Sequence, residues 1–354
     1  MPFDRYMAMA LYEPGLGYYV NGLHKFGLSG DFVTAPEEGS LFAAALARQI
    51  DEIAEVLGEP YTILEPGAGS GALARDLLLG LKDKPSRYLI LEPSAALRQV
   101  QRDTLSTLPS ALQACVGWLD APPEESFTGV IIANEVADAL PVSIFEITDK
   151  GLRERCVKLG NQRLEWSLEL PRPRLKQAFE ELTQHLNEAL PVGYFSEISL
   201  DLPGWIETIS RPLQKGAVLL VDYGYPRSEY YLPARATGTL ICHFRHRAYF
   251  DPFVWPGLTD ISAWVDFSAA AEAGQRAGLD VAGFATQADF LLALGAHQCV
   301  EQAEDEQSRL RLAGELKRLI LPGEMGEKFK MLALSRLADC RLSGMSERDQ
   351  RLRL

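Results

Sequence analysis

The chain has 354 residues, of which 47% are hydrophobic and 23% charged, and its mean hydropathy is -0.05. This is the composition of an ordinary globular protein, which excludes a disordered chain and a collagen-like repeat. Lys and Arg total 35 against 48 Asp and Glu. The formal net charge of -13 would repel a phosphate backbone, so a non-specific nucleic-acid binder is excluded.

The cysteines and histidines show no disulfide or metal pattern. The 5 cysteines include no CxxC pair, and an odd number cannot close completely into disulfides. The 5 histidines have no HExxH or similar spacing, so no metal site is predicted. Since the sequence has neither an apolar run of about 18 residues nor a signal-like start, we predict no membrane span and expect a cytoplasmic protein.

The predicted elements begin with an N-terminal segment in which a Gly- and Tyr-rich stretch at 12–32 precedes a helical pattern at 38–58. Short apolar runs bounded by Gly, Pro or Asp then predict buried strands. The helical patterns between the first three strands lie at 72–81 and 96–105. The predicted strands are 61–65, 88–92, 114–118, 130–134 and 217–223, followed by 279–287 and 329–337 after a helical stretch at 260–278.

This β-α-β-α-β order predicts an α/β fold: a doubly wound, seven-stranded, mostly parallel sheet with right-handed crossovers. Two insertions interrupt it, and loops of that length usually serve a functional site. Strand patterns with turns at DKG and LGNQ open the first insertion, and a helix follows them. We divide the chain into an N-terminal lid and helical extension (1–60), a core (61–140, 216–223 and 260–340), a β-rich flap with a helical arm (141–215) and an aromatic, basic insertion (224–259).

A glycine-rich turn follows the first predicted strand. Glu65 ends that strand, and Gly67, Ala68, Gly69 and Gly71 lead into the helix. Glycines allow the backbone to approach a ligand closely, so the turn predicts a site for a nucleotide-like cofactor. The alternative is a turn that only packs a strand against a helix. Gly67, Gly69 and Ala72 also match GxGxxA, so an NAD-binding fold remains open.

Charge favours S-adenosylmethionine over NAD. That cofactor has no pyrophosphate but carries a cationic amino group, which suits the carboxylate of Glu65. Glu92, at the end of the second strand, can accept hydrogen bonds from ribose hydroxyls, although NAD sites share such an acid. Trp118 and Asp120, at the end of the third strand, are candidates to contact the adenine. The alternatives are a solvated strand end for Glu92 and a core position for Trp118.

The fourth predicted strand ends in the sequence NEVADALP, at the sheet edge where open α/β folds place their chemistry. We assign Asn134 to the cofactor side. Glu135 and Asp138 can hold a guanidinium through charge-assisted bonds, so we predict that they orient an arginine for methyl transfer. In the alternative, Asn134 or Asp138 caps a helix. A basic cluster, His243 to Arg247, either binds an acidic surface or pairs with carboxylates of the site.

Several motifs resemble the MidA-like S-adenosylmethionine-dependent methyltransferases, whose mitochondrial members are complex I assembly factors that dimethylate an arginine. The motifs are GDFVTAPE (30–37), LEPGAGSG (64–71), NEVADALP (134–141) and GTLICHFRHR (238–247). The resemblance covers nearly the whole chain. It implies a class I methyltransferase fold, in which Gly30, Asp31 and Thr34 close over the cofactor site formed by Glu65, Gly67, Gly69, Gly71 and Glu92.

We therefore predict an S-adenosylmethionine-dependent methyltransferase that modifies a protein arginine. The resemblance implies a protein substrate, with a subunit of a respiratory-type complex as a candidate. Two alternatives remain: a non-catalytic scaffold protein that binds the cofactor, and an NAD(P)-dependent oxidoreductase. The intact glycine turn argues against the scaffold. The sequence lacks the Tyr-x-x-x-Lys or comparable hydride-transfer set that an oxidoreductase would need.

Overall fold

The computed structural model describes residues 1–22, 35–338 and 342–354. Within these residues, the predicted apolar runs form strands, and further strands lie in the two insertions. The strands are β1 (Thr62–Pro66), β2 (Arg87–Leu91), β3 (Val116–Leu119), β4 (Phe127–Asn134), β5 (Ser143–Thr148), β6 (Gly151–Leu159), β7 (Leu164–Glu169), β8 (Phe195–Ile198), β9 (Leu213–Tyr225), β10 (Ile241–Phe244), β11 (Arg247–Tyr249), β12 (Asp260–Ser262), β13 (Val265–Asp266), β14 (Asp280–Thr286) and β15 (Phe329–Ser335).

Helices occupy much of the chain between the strands, and some of their starts are fixed by side-chain caps. Asp266 accepts a hydrogen bond from the amide of Ala269 at 3.0 Å, so a helix begins at the next residue. The helices are α1 (Phe3–Tyr12), α2 (Ala35–Glu38), α3 (Leu41–Leu57), α4 (Ala72–Gly80), α5 (Ala95–Leu105), α6 (Ser110–Gln113), α7 (Pro173–Gln184), α8 (Leu202–Ser210), α9 (Arg227–Tyr230), α10 (Phe267–Arg276), α11 (Gln287–Ala293), α12 (Ala296–Glu301), α13 (Glu306–Ile320) and α14 (Ser343–Ser346), with a 3-10 turn at Arg351–Arg353.

The central sheet confirms the doubly wound α/β prediction. Its strand order is β14-β15-β9-β4-β1-β2-β3, and the two-residue β13 adds to β9. All pairs are parallel except those of β15, which runs antiparallel to both β9 and β14. The direction of winding reverses between β1 and β4. A crevice forms outside the carboxyl ends of the strands at such a reversal, and ligands of open α/β folds bind there.

Apolar layers cover both faces of this sheet. Successive strand residues point to opposite faces, so the neighbours Ile63 and Leu64 of β1 belong to different clusters. Ile63 packs in a cluster with Ile50 of α3, whereas Leu64 packs in one with Phe267 of α10. This two-sided burial explains why the strands read in the sequence as continuous apolar runs.

The two insertions form small antiparallel sheets beside the central one. Strands of the first insertion give the order β7-β6-β5-β8, and the second sheet has the order β11-β10-β12. Helix α1 contacts β5, β6 and β12 and therefore lies against both sheets. Phe3, Met7 and Leu11 are fully buried in the cluster that includes Ile144 of β5 and Ile261 of β12.

Two parts of the predicted secondary structure were wrong or missed. The stretch 260–278 is not helical throughout, because β12 and β13 precede α10, which begins only at Phe267. In place of a helix, Asp260–Ser262 pairs with β10, and Val265 pairs with Gly224 of β9. The insertion 224–259 showed no periodicity, yet it supplies β10 and β11, which are too short to leave a sequence pattern. Within the described residues, no helix combines the length and apolarity that crossing a bilayer requires.

Candidate active site

A cavity of about 600 Å³ opens at the carboxyl ends of β1, β2 and β4, where the winding of the sheet reverses. This volume lies within the usual range for small-molecule and cofactor sites. Two walls of the cavity are named below. The glycine-turn wall consists of Glu65, the turn that follows it, and Glu92, whereas the carboxylate wall consists of Glu135, Asp138 and Asp260.

The turn after β1 adopts a conformation that favours glycine. Gly67, Gly69 and Gly71 have φ angles of 67°, 52° and 83°, in the left-handed region. A Cβ at Gly67 would lie 3.0 Å from Val136 Cγ2, so the position is also crowded. Gly67, Ala68 and Gly69 line the cavity, whereas Gly71 lies outside its lining and caps the start of α4.

Glu65 lies at the end of β1 and is 2% exposed. Its Oε2 atom accepts a hydrogen bond from the Tyr88 hydroxyl at 2.7 Å. Burial raises the pKa of Glu65 to about 7, and the Tyr88 hydroxyl opposes the rise. A cationic group in the cavity would favour the ionised form of this carboxylate.

Glu92, directly after β2, is buried rather than solvated, which rules out the strand-end alternative. Its Oε1 accepts from the Ser94 amide at 2.9 Å, and its Oε2 accepts from Gln101 Nε2 at 3.2 Å. Burial raises its pKa above the ordinary value. The same Gln101 amide also donates to the Gly69 carbonyl at 3.1 Å, so Gln101 ties the acid to the glycine turn. Nothing in the sequence pattern indicated this role of Gln101.

Trp118 and Asp120 lie outside the lining of the cavity, contrary to their predicted contact with the adenine. Trp118 Nε1 donates to Gln101 Oε1 at 2.9 Å, so the ring supports the residue that holds Glu92. Asp120 forms an ion pair with Arg98 at 2.6 Å, and its side chain is 86% exposed. Trp118 lies in β3 and Asp120 directly follows it, and β3 is the edge strand of the sheet, two strands away from β1. The predicted Gly30, Asp31 and Thr34 lie outside the described residues.

Asn134 ends β4 and lines the cavity between the two walls. Its Nδ2 donates to Glu135 Oε1 at 3.3 Å. Among the described residues, its buried Oδ1 has no hydrogen-bond partner. An orphaned acceptor of this kind costs about 1 to 3 kcal/mol unless a ligand donates to it. The unpaired amide oxygen therefore points to a ligand that carries a polar hydrogen.

Glu135 and Asp138 line the cavity on the turn after β4, and the helix-cap alternative is wrong because no helix follows. Glu135 has a φ angle of 52°, which is uncommon for a residue with a side chain. Burial, and then the charges of Asp138 and Asp260, raise the pKa of Glu135 to about 8. Burial and the charges of Asp222 and Asp260 also raise the pKa of Asp138.

Asp222, near the end of β9, holds this turn in place from behind the cavity. Its Oδ2 accepts from the amides of Ala137 and Asp138 at 2.9 and 3.2 Å, and its Oδ1 accepts from the Tyr223 amide at 2.9 Å. Burial, followed by the charge of Glu135, raises its pKa to about 8. The sequence showed that Asp222 ends a strand. It did not show that the carboxylate reaches a turn 85 residues away.

Tyr19 connects the two walls. Its hydroxyl donates to Asp260 Oδ1 at 2.9 Å, and its carbonyl accepts from Ser94 Oγ at 3.1 Å, next to Glu92. The hydroxyl of Tyr12 donates to the Ala139 carbonyl at 2.8 Å, and its ring stacks on that of Tyr19. The N-terminal segment thus contacts both walls.

The residues present fit S-adenosylmethionine. The glycine turn lets the backbone approach a ligand, Glu65 and Glu92 supply buried acceptors, and Asn134 Oδ1 lacks a donor. The cavity volume suits a cofactor of that size. Within the described residues, no group of three His, Cys, Asp or Glu side chains is arranged to hold a metal ion.

The fold and the site define a class I S-adenosylmethionine-dependent methyltransferase. The sequence model of a family described as "Putative S-adenosyl-L-methionine-dependent methyltransferase" matches residues 45–285, so the chain belongs to that family. It is the MidA-like family indicated by the sequence motifs. This assignment excludes the NAD(P)-dependent oxidoreductase and the non-catalytic scaffold.

Relatives with known names or structures cover nearly the whole chain. A crystal structure of a superfamily member from Burkholderia thailandensis bound to S-adenosyl-homocysteine is 40% identical, with a TM-score of 0.92 over 100% of this chain and 92% of that one. The mitochondrial protein arginine methyltransferase NDUFAF7 of Mus musculus is 28% identical over 97% of this chain and 82% of its own length. The Danio rerio protein of the same name is 29% identical over 93% and 82%.

Proposed function

We propose that this methyltransferase modifies the guanidinium of an arginine in a protein substrate. The observation that carries the proposal is the pair of buried carboxylates, Glu135 and Asp138, in the wall of the cavity. Neither forms an ion pair with a Lys or Arg among the described residues. Burial is the largest cause of the raised pKa of both carboxylates, and the charges of neighbouring acids add to it. A cationic ligand would favour their ionised forms.

A guanidinium suits this pair better than an ammonium does. Its planar fork of donors can bond two carboxylates in fixed directions, whereas the ammonium of lysine is a compact point charge. The names of the curated relatives, which are protein arginine methyltransferases, support the same substrate class.

When bound, S-adenosylmethionine supplies an electrophilic methyl group on a sulfonium sulfur. The glycine-turn wall would hold it, with Glu65 and Glu92 as acceptors and Asn134 Oδ1 available to a polar hydrogen. Glu135 and Asp138 then orient the guanidinium in the same cavity. Because Asp222 fixes the backbone between them, this pair is held in place before substrate binds.

Radiolabelled methyl transfer tests the substrate class. The purified protein is incubated with methyl-labelled cofactor and a lysate, and labelled proteins are hydrolysed to amino acids. We expect label in methylated arginine with the wild type and at most about 1% of it with Glu135→Gln. Glu180→Gln, an exposed carboxylate on α7, is the matched control. Label in lysine, glutamine or a small molecule, with none in arginine, would contradict the proposal.

We also propose a setting for the protein. The described part of the chain contains four free thiols, those of Cys115, Cys156, Cys242 and Cys299. Free thiols favour a reducing compartment, which supports a cytoplasmic location. The resemblance to complex I assembly factors supports a subunit of a respiratory-type complex as substrate. Mass spectrometry of the labelled proteins would identify it, and the absence of any such subunit among them would contradict this part.

A further inference from the structure

A histidine and an aspartate lie opposite each other on two neighbouring strands in the wall of the cavity. Strands β10 and β12 pair antiparallel, and His243 is directly opposite Asp260. The Cβ atoms of such opposed residues are about 4.5 to 5.5 Å apart. Both side chains line the cavity that contains Glu135 and Asp138.

The two residues have the environment of an oriented proton acceptor. Asp260 is 4% exposed, and it accepts from the hydroxyls of Tyr19 at 2.9 Å and Ser262 at 3.1 Å. Burial lowers the pKa of His243 below its ordinary value, while the charge of Asp260 acts in the opposite direction. Burial thus favours the neutral imidazole, and the ring is directly opposite a carboxylate that two hydroxyls hold in place, an arrangement that suits proton transfer.

Methylation of a guanidinium releases a proton. The C–N bond forms from a nitrogen electron pair to the methyl carbon, the C–S bond breaks with its electrons going to sulfur, and one N–H proton leaves. The positive charge of the product stays on the methylated guanidinium. If Glu135 or Asp138 took the proton, it would lose the charge that balances the guanidinium, so a separate acceptor preserves the ion pair.

We propose that His243 is the catalytic base that takes this proton and that Asp260 is the positioning residue that orients its ring. The inference rests on the proposed arginine specificity. Other titratable residues line the same cavity as this pair. They are Tyr12, Tyr19, Glu37, Glu65, Glu92, Glu135, Asp138, Tyr223 and Lys328.

Nuclear magnetic resonance tests the pair without cofactor or turnover. With ring-labelled histidine, the signal that is missing in His243→Gln identifies His243. We expect its pKa to lie below 6.5, the ordinary value, and to fall by a further ~0.5 or more in Asp260→Asn, because the carboxylate that favours the charged ring is removed. An unchanged pKa in a folded Asp260→Asn protein would overturn the positioning role.

Steady-state kinetics test the base. We expect His243→Gln to lower kcat by about 100-fold, leave KM for an arginine peptide within about threefold, and abolish the rising limb of the pH–rate profile. Added imidazole should restore part of the rate to His243→Gly. His246→Gln, at the exposed tip of the same hairpin, is the matched control and should retain its rate.

The outcomes separate this inference from the proposed function. If the wild type methylates arginine and His243→Gln keeps kcat within about threefold, the base is overturned and the arginine specificity stands. If the wild type labels a different group, the arginine specificity fails, and the base for a guanidinium proton fails with it. A loss of kcat without any change in KM or in affinity for S-adenosyl-homocysteine supports the base.

Discussion

The two walls of the cavity differ in how the chain builds them. The glycine-turn wall comes from residues 65–92, two adjacent parallel strands and the turn between the first strand and its helix. The carboxylate wall brings together the turn after β4 and strand β12, and the hydrogen bonds of its residues with Asp222 and Tyr19 span 84 and 241 residues. The first wall is therefore a local feature of the fold, whereas the second depends on the insertions and on the N-terminal helix.

The largest expected effect is a loss of cofactor affinity when the glycine-turn wall is changed. Gly67→Val would place a branched side chain at a φ of 67°, within 3.0 Å of Val136, and we expect a loss of more than ~100-fold in affinity for S-adenosyl-homocysteine. Gly151→Val, in the β5–β6 turn, imposes similar strain at a φ of 89° with open space around it. Calorimetry should show full affinity for that control. Equal losses in both variants would indicate unfolding rather than a blocked site.

The second effect concerns the carboxylate wall alone. Glu135→Gln keeps the shape of the side chain but cannot ionise to pair with a guanidinium, so we expect turnover to fall by ~100-fold or more while the affinity for S-adenosyl-homocysteine stays within about twofold. Asp138→Asn should change both quantities in the same direction. If cofactor affinity fell as far as turnover did, the two walls would not be functionally separate.

A third prediction compares Glu92, an acid of the glycine-turn wall, with Asp120, an acid outside the cavity. Glu92→Ala should weaken cofactor binding by ~1 to 3 kcal/mol, the cost of losing charged hydrogen bonds to a buried partner. Asp120→Asn, an exposed acid on the same side of the sheet, should leave the affinity unchanged. Calorimetric titration with S-adenosyl-homocysteine measures both. If the affinity for S-adenosyl-homocysteine were unchanged in Glu92→Ala, this acid would serve only to accept hydrogen bonds from Gln101 and Ser94.

The fourth prediction concerns the pH dependence of the free energy of unfolding. The folded-state pKa of Glu135, about 8, lies above its unfolded value, so its contribution to stability is full below pH ~4.5 and is lost as pH rises through 8. The free energy of unfolding of the wild type should therefore fall with pH in that window. In Glu135→Gln the slope should be shallower by about 1 kcal/mol per pH unit. Denaturant titrations at pH 5, 6, 7 and 8 measure the slope, and an identical slope would contradict the raised pKa.

The smallest expected effect tests the support behind the local wall. Trp118→Phe keeps an aromatic ring, smaller than the indole, and removes the hydrogen bond to Gln101, which costs about 0.5 to 1.5 kcal/mol. We expect cofactor affinity to fall by only a few-fold, because Gln101 still contacts the Gly69 carbonyl and Glu92. A loss as large as that of Glu92→Ala would place Trp118 closer to the ligand than its position in the structure does.

The sequence was informative about the local wall because its signals are local. The glycine turn, Glu65 and the apolar strands follow from backbone conformation and burial, which depend on neighbouring residues. Glu135 and Asp138 were predicted to lie at the cavity, and they line it, because they follow a strand that ends at the ligand edge. Asp260 was missed, since its segment appeared helical and only its pairing with β10 brings it to the cavity. Gln101 was missed because its hydrogen bonds give no sequence pattern.

Helix α1 has a consequence for synthesis of the chain. Its Tyr6 hydroxyl donates to the Pro252 carbonyl in a buried position at 2.7 Å, and the helix contacts β12 near residue 261. During translation, one side of this apolar helix thus remains uncovered until some 250 further residues have emerged. At ~5 to 20 residues per second this interval lasts roughly 12 to 50 s. The substrate side of the cavity, which needs Asp260 of β12, is therefore completed only late in synthesis.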